Sequence, residues 1–506
     1  MQNTTIIAEN LREENLRSLG QPLRQLYLAD TIPWVCGYSG GKDSTVTLQL
    51  VWEVLVGLAP DQRHKTVHVI STDTGVEQPL VAAWAEHSLK RMTAVAGEKG
   101  LPIKTHRLHP EIKDSFWVNL IGRGYGAPQR AFRWCTSRTK IRPANNFIHR
   151  VTSQYGQSIV VLGTRKAESA NRKRTMERYE QKRIREWLSP NGSLPNSWVF
   201  SPIEDWESDD VWEYLLSTPN PWGHDNRDLF NLYREGSPDR ECPIVLEVTV
   251  KTPSCGQSRF GCWTCTVIRQ DRSLSAMVAN DPENAWMAPL VAFRDTLAAS
   301  VHDRSMRDFR RQDGKIKLYN GRPNLGPYTK VTREHFLREL LVMQEELRKA
   351  APPTFRDWTL ISDDEIREIR RIWVEDKHEW DDRVPAIWEE TCGFPYPYRR
   401  DIRDTGFGPD EWELLSDVCG GDPLMLEMQA TLLDLTANRN GLFRGTDPDA
   451  VAQAIRRSFY ANEEDAVAFA KQQQTFLGTI SDDDIVEDAP TVEPIRPQQI
   501  QLAFDD

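Results

Sequence analysis

No run of about twenty apolar residues occurs anywhere in the 506-residue chain, so no membrane-spanning helix and no membrane partner are expected. The opening Met1-Gln2-Asn3-Thr4-Thr5 lacks the pattern of a signal peptide, and a cytoplasmic location is expected. Cysteine is scarce and unevenly spread: there are eight, none after Cys419. In a reducing compartment such cysteines are expected to serve metal or redox chemistry rather than disulfides. No internal repeat is visible. The Gly-x-x-x-x-Gly-Lys-Ser/Thr loop of kinases and GTPases is also missing, which excludes that route to nucleotide binding.

Charge of one sign is concentrated rather than scarce. The net charge is −11, yet residues 481–506 hold eight Asp/Glu against the single Arg496, leaving the rest of the chain at −4. This Pro- and Gln-rich tail is expected to be disordered, and the body remains able to carry basic patches. The length implies two or three domains, and 17 tryptophans imply a substantial core.

The most informative stretch is Ser39-Gly40-Gly41-Lys42-Asp43-Ser44. It lies between an apolar run, Ile32 to Cys36, and a helical pattern of Val46, Leu48, Leu50, Val51, Val54 and Leu55. Small residues at a strand-to-helix turn let several N–H groups converge. The helix dipole and Lys42 add positive potential, which suits phosphate or pyrophosphate. Further buried-strand patterns at 66–70, 101–109 and 158–162 alternate with helical ones, which predicts an α/β fold with a parallel sheet and helices on both faces. Asp73-Thr74 and Gly163-Thr164-Arg165 directly follow two of these strands, so they are expected to meet the Ser39–Ser44 loop in one crevice.

Two other features carry chemistry. Residues 165–186 hold nine Lys/Arg against four Glu, which reads either as a solvated helix face or as a phosphate-backbone contact. Cys242, Cys255, Cys262 and Cys265 fall within 24 residues and end in Cys-x-x-Cys. From spacing alone these thiols suit structural zinc, an iron–sulfur cluster or a metal-free dithiol. Cys392 and Cys419 are expected to be buried apolar thiols. Beyond residue 280 the pattern is helical; Ser362-x-x-Glu365 reads as a capping box, and Ile366, Ile369, Ile372 and Trp373 as a core stripe.

The Ser-Gly-Gly-Lys-Asp-Ser loop resembles the PP-loop of ATP pyrophosphatases. With Asp73-Thr74-Gly75-Val76-Glu77, Arg133-Trp134-Cys135-Thr136…Lys140-Ile141-Arg142-Pro143 and Gly163-Thr164-Arg165-Lys166-Ala167-Glu168-Ser169, it is similar to the PAPS reductase branch of that superfamily. The downstream Pro253-Ser254-Cys255…Phe260-Gly261-Cys262-Trp263-Thr264-Cys265-Thr266 and Gly326-Pro327-Tyr328-Thr329 resemble the DndC family, sulfurtransferases of DNA phosphorothioation.

The resemblance implies a PP-loop ATP pyrophosphatase and sulfurtransferase that uses ATP to activate a DNA backbone oxygen for replacement by sulfur. It implies ATP, Mg²⁺ and a [4Fe-4S] cluster on Cys242, Cys255, Cys262 and Cys265. It also implies DNA, a cysteine desulfurase and an SMC-like ATPase as partners. Ser39, Gly40, Gly41, Lys42 and Ser44 would hold pyrophosphate and Asp43 the Mg²⁺. Asp73 and Thr74 would lie near the adenosine or metal, with Gly163 and Thr164 completing the nucleotide site. Arg165 would steady a phosphate, and Cys135 would be a persulfide carrier or substitute ligand. The implied organisation is a helical lead-in (1–30), a PP-loop domain (31–235), a cysteine-rich segment (236–280), a helical C-terminal domain (281–480) and an acidic tail (481–506). Rival readings are a sulfonucleotide (PAPS/APS) reductase, weakened by the cysteine-free stretch after Cys419, a non-catalytic ATP- and cluster-binding subunit, and a tRNA thiolase.

Overall fold

The structure is a computed structural model, and it describes residues 20–237, 260–319, 322–399, 407–437, 448–458, 460 and 462–479. Cys242 and Cys255, and with them half of the expected ligand set, lie outside the described residues, as does the acidic tail.

A first unit is formed by residues up to 110 together with 133–291. Its sheet has strand order β3-β2-β1-β4-β6-β5: β1 is Trp34–Gly37, β2 Val67–Thr72, β3 Ile103–Leu108, β4 Ser158–Val161, β5 Ser189–Pro190 and β6 Ser197–Phe200. All pairs are parallel except the short β5–β6 edge, so the expected α/β architecture is found. The central strands β1 and β4 are apolar on both faces because helices cover both.

Alternation along the strands divides two cores. Trp34, Cys36, Val67, Val69, Ile159 and Val161 face one cluster, which includes Val46 and Leu50 of α2 (Lys42–Val56) and Leu89 and Met92 of α3 (Pro79–Glu98). Trp212 of α6 (Ser208–Ser217) and Leu229 of α7 (Asn226–Glu235) complete that side. Val35, Ile70, Val160 and Leu162 face the other, against Ala144, Phe147, Ile148 and Val151 of α4 (Arg142–Tyr155). Burial of this order, at roughly 25 cal/mol per Å² of apolar surface, is what holds the sheet between its helix layers. The neighbours of β1 are β2 on one side and β4 on the other, which places a topological switch point at the carboxyl ends of β1 and β4.

The second unit comprises residues 111–132 and those from 292 onward. Segment 111–132 therefore groups with the C-terminal helices, although the strands flanking it in sequence belong to the first unit. Trp117 Nε1 donates to the Leu360 carbonyl (2.6 Å), and Trp373 Nε1 to that of Ile121 (3.1 Å). Ser362 caps α11 (Asp363–Arg371) in the predicted capping box, and Ile366, Ile369, Ile372 and Trp373 are core as expected. Cys392 and Cys419 differ from expectation: both are half-buried, since each sits at the end of a surface helix, α12 (Arg383–Cys392) or α13 (Pro409–Val418). Among the described residues no helix is long and apolar enough to cross a membrane.

Candidate nucleotide and thiol site

The loop after β1 is folded by its own hydroxyls. Ser44 Oγ donates to the Gly41 carbonyl (3.0 Å), meets Ser39 Oγ at 3.1 Å and accepts from the Ser39 N–H at 3.3 Å. Gly40 adopts φ +83°, and a Cβ there would press on Ala85 of α3 at 3.2 Å, so a glycine is required for both reasons. α2 then starts at Lys42 with no side-chain cap from Gly41; apart from the Lys42 N–H, which donates to the Tyr233 hydroxyl, the N–H groups of its first turn suit an anion.

Gly163, following β4, has no room for a side chain: a Cβ would lie 2.6 Å from the Asp43 carbonyl oxygen. This close approach joins the two loops at the switch point. Arg165, two residues on, is buried, and its Nε donates to Asp43 Oδ1 at 2.6 Å while Lys42 Nζ donates to Oδ2 at 2.7 Å. Asp43, the residue expected to hold Mg²⁺, thus has both carboxylate oxygens engaged by cations. Arg165 also donates to the Trp206 carbonyl (3.1 Å), so the arrangement makes it an internal strut of the loop.

The cleft bounded by these loops has a volume of about 290 Å³. Ser39, Gly40, Gly41, Lys42, Asp43, Ser44, Gly163, Thr164 and Arg165 line it together. Asp73 and Thr74 are not among its lining residues. Asp73 Oδ1 accepts from the Gly75 N–H (2.9 Å) and Oδ2 pairs with Arg107 (3.1 Å), closing the turn after β2. Thr74 faces the cysteines instead, its Oγ1 3.5 Å from Cys262 Sγ.

Glu77 forms an isolated bridge with Cys262, and the Trp263 N–H donates to the Val76 carbonyl (3.0 Å). The Cys-x-x-Cys turn is thereby stitched to the β2–α3 loop, and the Cys265 N–H closes it on the Cys262 carbonyl (3.0 Å). Cys135, at the start of a π-helical turn (Thr136–Ile141), shares this region. Burial pushes its thiol up to about 12, and the neighbouring Cys262 and Cys265 add to the rise. Burial likewise raises Cys262, opposed by Lys140 and by the Thr74 hydroxyl. Glu77 is raised by burial against the pull of Lys140 and Arg107. Glu77 and Lys140 also line the nucleotide cleft, so the thiols adjoin it.

Three half-buried thiols, with Lys140 acting on Cys262, are the donor chemistry a thiolate-ligated cluster requires. Among the described residues, however, no three His, Cys, Asp or Glu converge as a metal site; further cysteine ligands would have to come from Cys242 and Cys255.

Residues 33–268 match the phosphoadenosine phosphosulfate reductase domain family. This domain is PAPS reductase-like. With the PP-loop and the parallel sheet, it places residues 33–268 in the PP-loop superfamily. Two curated proteins, both uncharacterized and both from Methanocaldococcus jannaschii, are similar to part of the chain. One is 31% identical over 191 residues, covering 38% of this chain and 32% of the relative. The other is 26% identical over 182 residues, covering 35% and 34%. The chain thus spans about a third of the length of these relatives. Among solved structures, the U34-tRNA thiolase NcsA from Methanococcus maripaludis with its [4Fe-4S] cluster is similar at a TM-score of 0.27 and 14% identity. That similarity covers 58% of this chain and 82% of that one, and it is too remote to carry function across.

Several cleft residues were outside the sequence expectation. Tyr233 on α7 accepts from the Lys42 N–H (3.3 Å), and Lys42 Nζ lies 5.9 Å from its ring centre. Leu229, Leu232 and Tyr233 behind the N-cap Asp225 are the sequence signal of that helix. Glu168 accepts from the Arg165 N–H (2.9 Å) and pairs with Arg172, and both Glu168 and Arg172 line the cleft. The basic stretch is now divided: Arg165, Lys166, Arg172, Arg183 and Arg185 are held in ion pairs. Lys173, Arg174, Arg178 and Lys182 are exposed, with no ion pair among the described residues.

Proposed function

We propose that this protein is an ATP-dependent sulfurtransferase that replaces a non-bridging oxygen of a DNA backbone phosphate by sulfur. The observation that supports this most is the adjacency of the Cys135, Cys262 and Cys265 thiols to a PP-loop cleft through Glu77 and Lys140.

A phosphodiester oxygen does not leave as oxide, so exchange needs activation. In the proposed sequence that oxygen attacks the α-phosphorus of ATP, the α–β bridge breaks, and pyrophosphate departs. Hydrosulfide then attacks the DNA phosphorus, the oxygen leaves within AMP, and one proton is released. Lys42, Tyr233 and the backbone N–H groups at the start of α2 hold the pyrophosphate as its charge develops. Arg165 and Lys42 keep Asp43, and hence the first turn of α2, in place. Thr74 ties the turn after β2 to Cys262, so the thiol side and the nucleotide side share one support.

Cys262 and Cys265, completed by Cys242 and Cys255, would hold a [4Fe-4S] cluster, with Cys135 beside them as a sulfur carrier. With each iron held by a cysteine, such a cluster would brace the thiol side of the site and leave sulfur delivery to Cys135. The four exposed cations at 173–182 suit a nucleic-acid backbone. A cysteine desulfurase would supply the sulfur as a persulfide on Cys135, a dithiol reductant would release it as hydrosulfide while being oxidised to a disulfide, and an SMC-like ATPase would accompany the protein on DNA. A role for Mg²⁺ would be with the ATP phosphates.

The test is Lys42→Ala, assayed for pyrophosphate and AMP with ATP, duplex DNA and sulfide. Loss of pyrophosphate release with unchanged iron content is expected. Pyrophosphate released at the wild-type rate would exclude the PP-loop as the site of activation.

A further inference from the structure

A second cavity of the first unit is separate in role from the nucleotide cleft. It lies over the edge of the sheet at β4 and β6, beneath α5 (Ala170–Glu180), the helix of the basic stretch. Its volume is about 90 Å³, several times the roughly 10–15 Å³ that a single water needs. That suits one heteroaromatic ring system.

Its walls combine flat apolar groups with hydrogen-bonding ones. Tyr179, Trp187 and Met176 supply aromatic and thioether surface; Asn145, Arg183 and Glu204 supply donors and acceptors. Arg183 grips Glu204 with two hydrogen bonds (2.8 and 2.7 Å), yet its buried Nε has no partner. Trp187 is held at φ +68°, a left-handed conformation unfavourable for a bulky residue and more often met at functional positions than elsewhere.

Its placement ties the cavity to the rest. Thr164 and Leu162, at the end of β4, line both this cavity and the nucleotide cleft. On the outer side, Arg178 and Lys182 lie 5.2 and 5.7 Å from the Tyr179 ring centre, and Lys173 and Arg174 extend the exposed positive surface along the same helix.

We infer that this cavity receives one nucleobase of the nucleic-acid strand, extruded from its stack, while the adjoining backbone phosphates lie along Lys173, Arg174, Arg178 and Lys182. A flat ring between Tyr179, Trp187 and Met176 gains stacking and dispersion. Asn145, Arg183 and Glu204 on the cavity wall meet its polar edge, the usual chemistry by which a flipped base is read. An occupant there brings its own phosphate to the strand end that also borders the ATP cleft. The inference rests on the reading of nucleic acid as substrate and names how the strand is gripped.

The experiment uses the full-length protein and two fluorescent oligonucleotides of equal length, one with normal bases and one abasic at its central positions. Met176→Trp, which fills the cavity from α5, is expected to weaken binding of the base-bearing strand about tenfold and that of the abasic strand less than twofold. Tyr179→Ala, which removes one wall instead, is expected to show the same selectivity. Thermal melting of each variant checks the fold. Equal affinities of wild type for both strands would overturn the inference, as would equal loss for both strands in the two variants. Because binding is read without ATP turnover, a protein that discriminates the strands but releases no pyrophosphate would overturn the proposed activity and leave the base pocket standing. One that releases pyrophosphate without discriminating would do the reverse.

Discussion

Gly163 fixes the separation of the two loops that make the cleft. A methyl group there would meet the Asp43 carbonyl at 2.6 Å, and backbone on both sides leaves little to yield. Gly163→Ala is therefore expected to destabilise the protein by about 1–3 kcal/mol, as overpacking does, and to weaken ATP binding more than tenfold. Chemical denaturation and nucleotide titration measure the two effects. Cys135 offers a second test at this scale. As a sulfur carrier rather than a ligand, it predicts that Cys135→Ser keeps wild-type iron and loses sulfur transfer; a parallel fall in iron would make it a ligand. The residues of the PP-loop were legible because their chemistry is local: small residues, a lysine and hydroxyls at a strand-to-helix turn. The strut from Arg165 to Asp43 spans 122 positions and the Thr74–Cys262 contact 188. Such separations leave no local trace, so sequence assigned Arg165 to a phosphate and Thr74 to the nucleotide, whereas geometry gives each a protein partner.

Among the elements, α5 is the one whose composition was ambiguous. Nine basic residues around it read equally as a solvated face or a binding surface until their partners were known. With five in ion pairs and four exposed, binding of duplex DNA is expected to lose about 0.9 from its log–log salt slope for each phosphate-contacting cation removed. Changing Lys173, Arg174, Arg178 and Lys182 together to Gln should thus flatten the slope by up to about 3–4, measured by fluorescence anisotropy across a salt series. An unchanged slope would assign the helix face to solvent. β1, β2 and β4 were readable as largely apolar runs because the sheet is covered on both faces there, whereas β3 holds Lys104, Thr105, His106 and Arg107 between Ile103 and Leu108. β6 escaped because Ser197 and Trp198 interrupt its pattern, and β5 because two residues carry no periodicity at all.

At the scale of the molecule, two histidines set the acid limit. Burial, with His106 and Lys104 nearby, lowers His68 to about 4; burial, with His87 and Arg91, lowers His224 to about 4. His68 is buried and His224 half-buried, and both are neutral in the fold, while an unfolded chain binds protons on them near 6.5. The unfolded state therefore takes up more protons between about 6.5 and 4, and stability is expected to fall as pH drops through that window. Denaturant melts at pH 7 and pH 5 check this; His68→Gln should reduce the difference. Iron content, about four per chain after anaerobic purification, tests the proposed cluster at the same scale, and one bound zinc without iron would replace it.

Segment 111–132 carries a consequence for how this polypeptide can be cut. Phe116, Trp117, Leu120 and Ile121 are all buried, and the indoles of Trp117 and Trp373 donate to the Leu360 and Ile121 carbonyls across more than two hundred positions each. Part of the C-terminal core is thus encoded inside the gene for the nucleotide domain. A chain ended after Val291 would keep that hydrophobic segment and lose everything it packs against, so it is expected to aggregate unless residues 111–132 are replaced by a short polar linker. The two units are inseparable as lengths of sequence, and deletions that change one without the other must be made in two places.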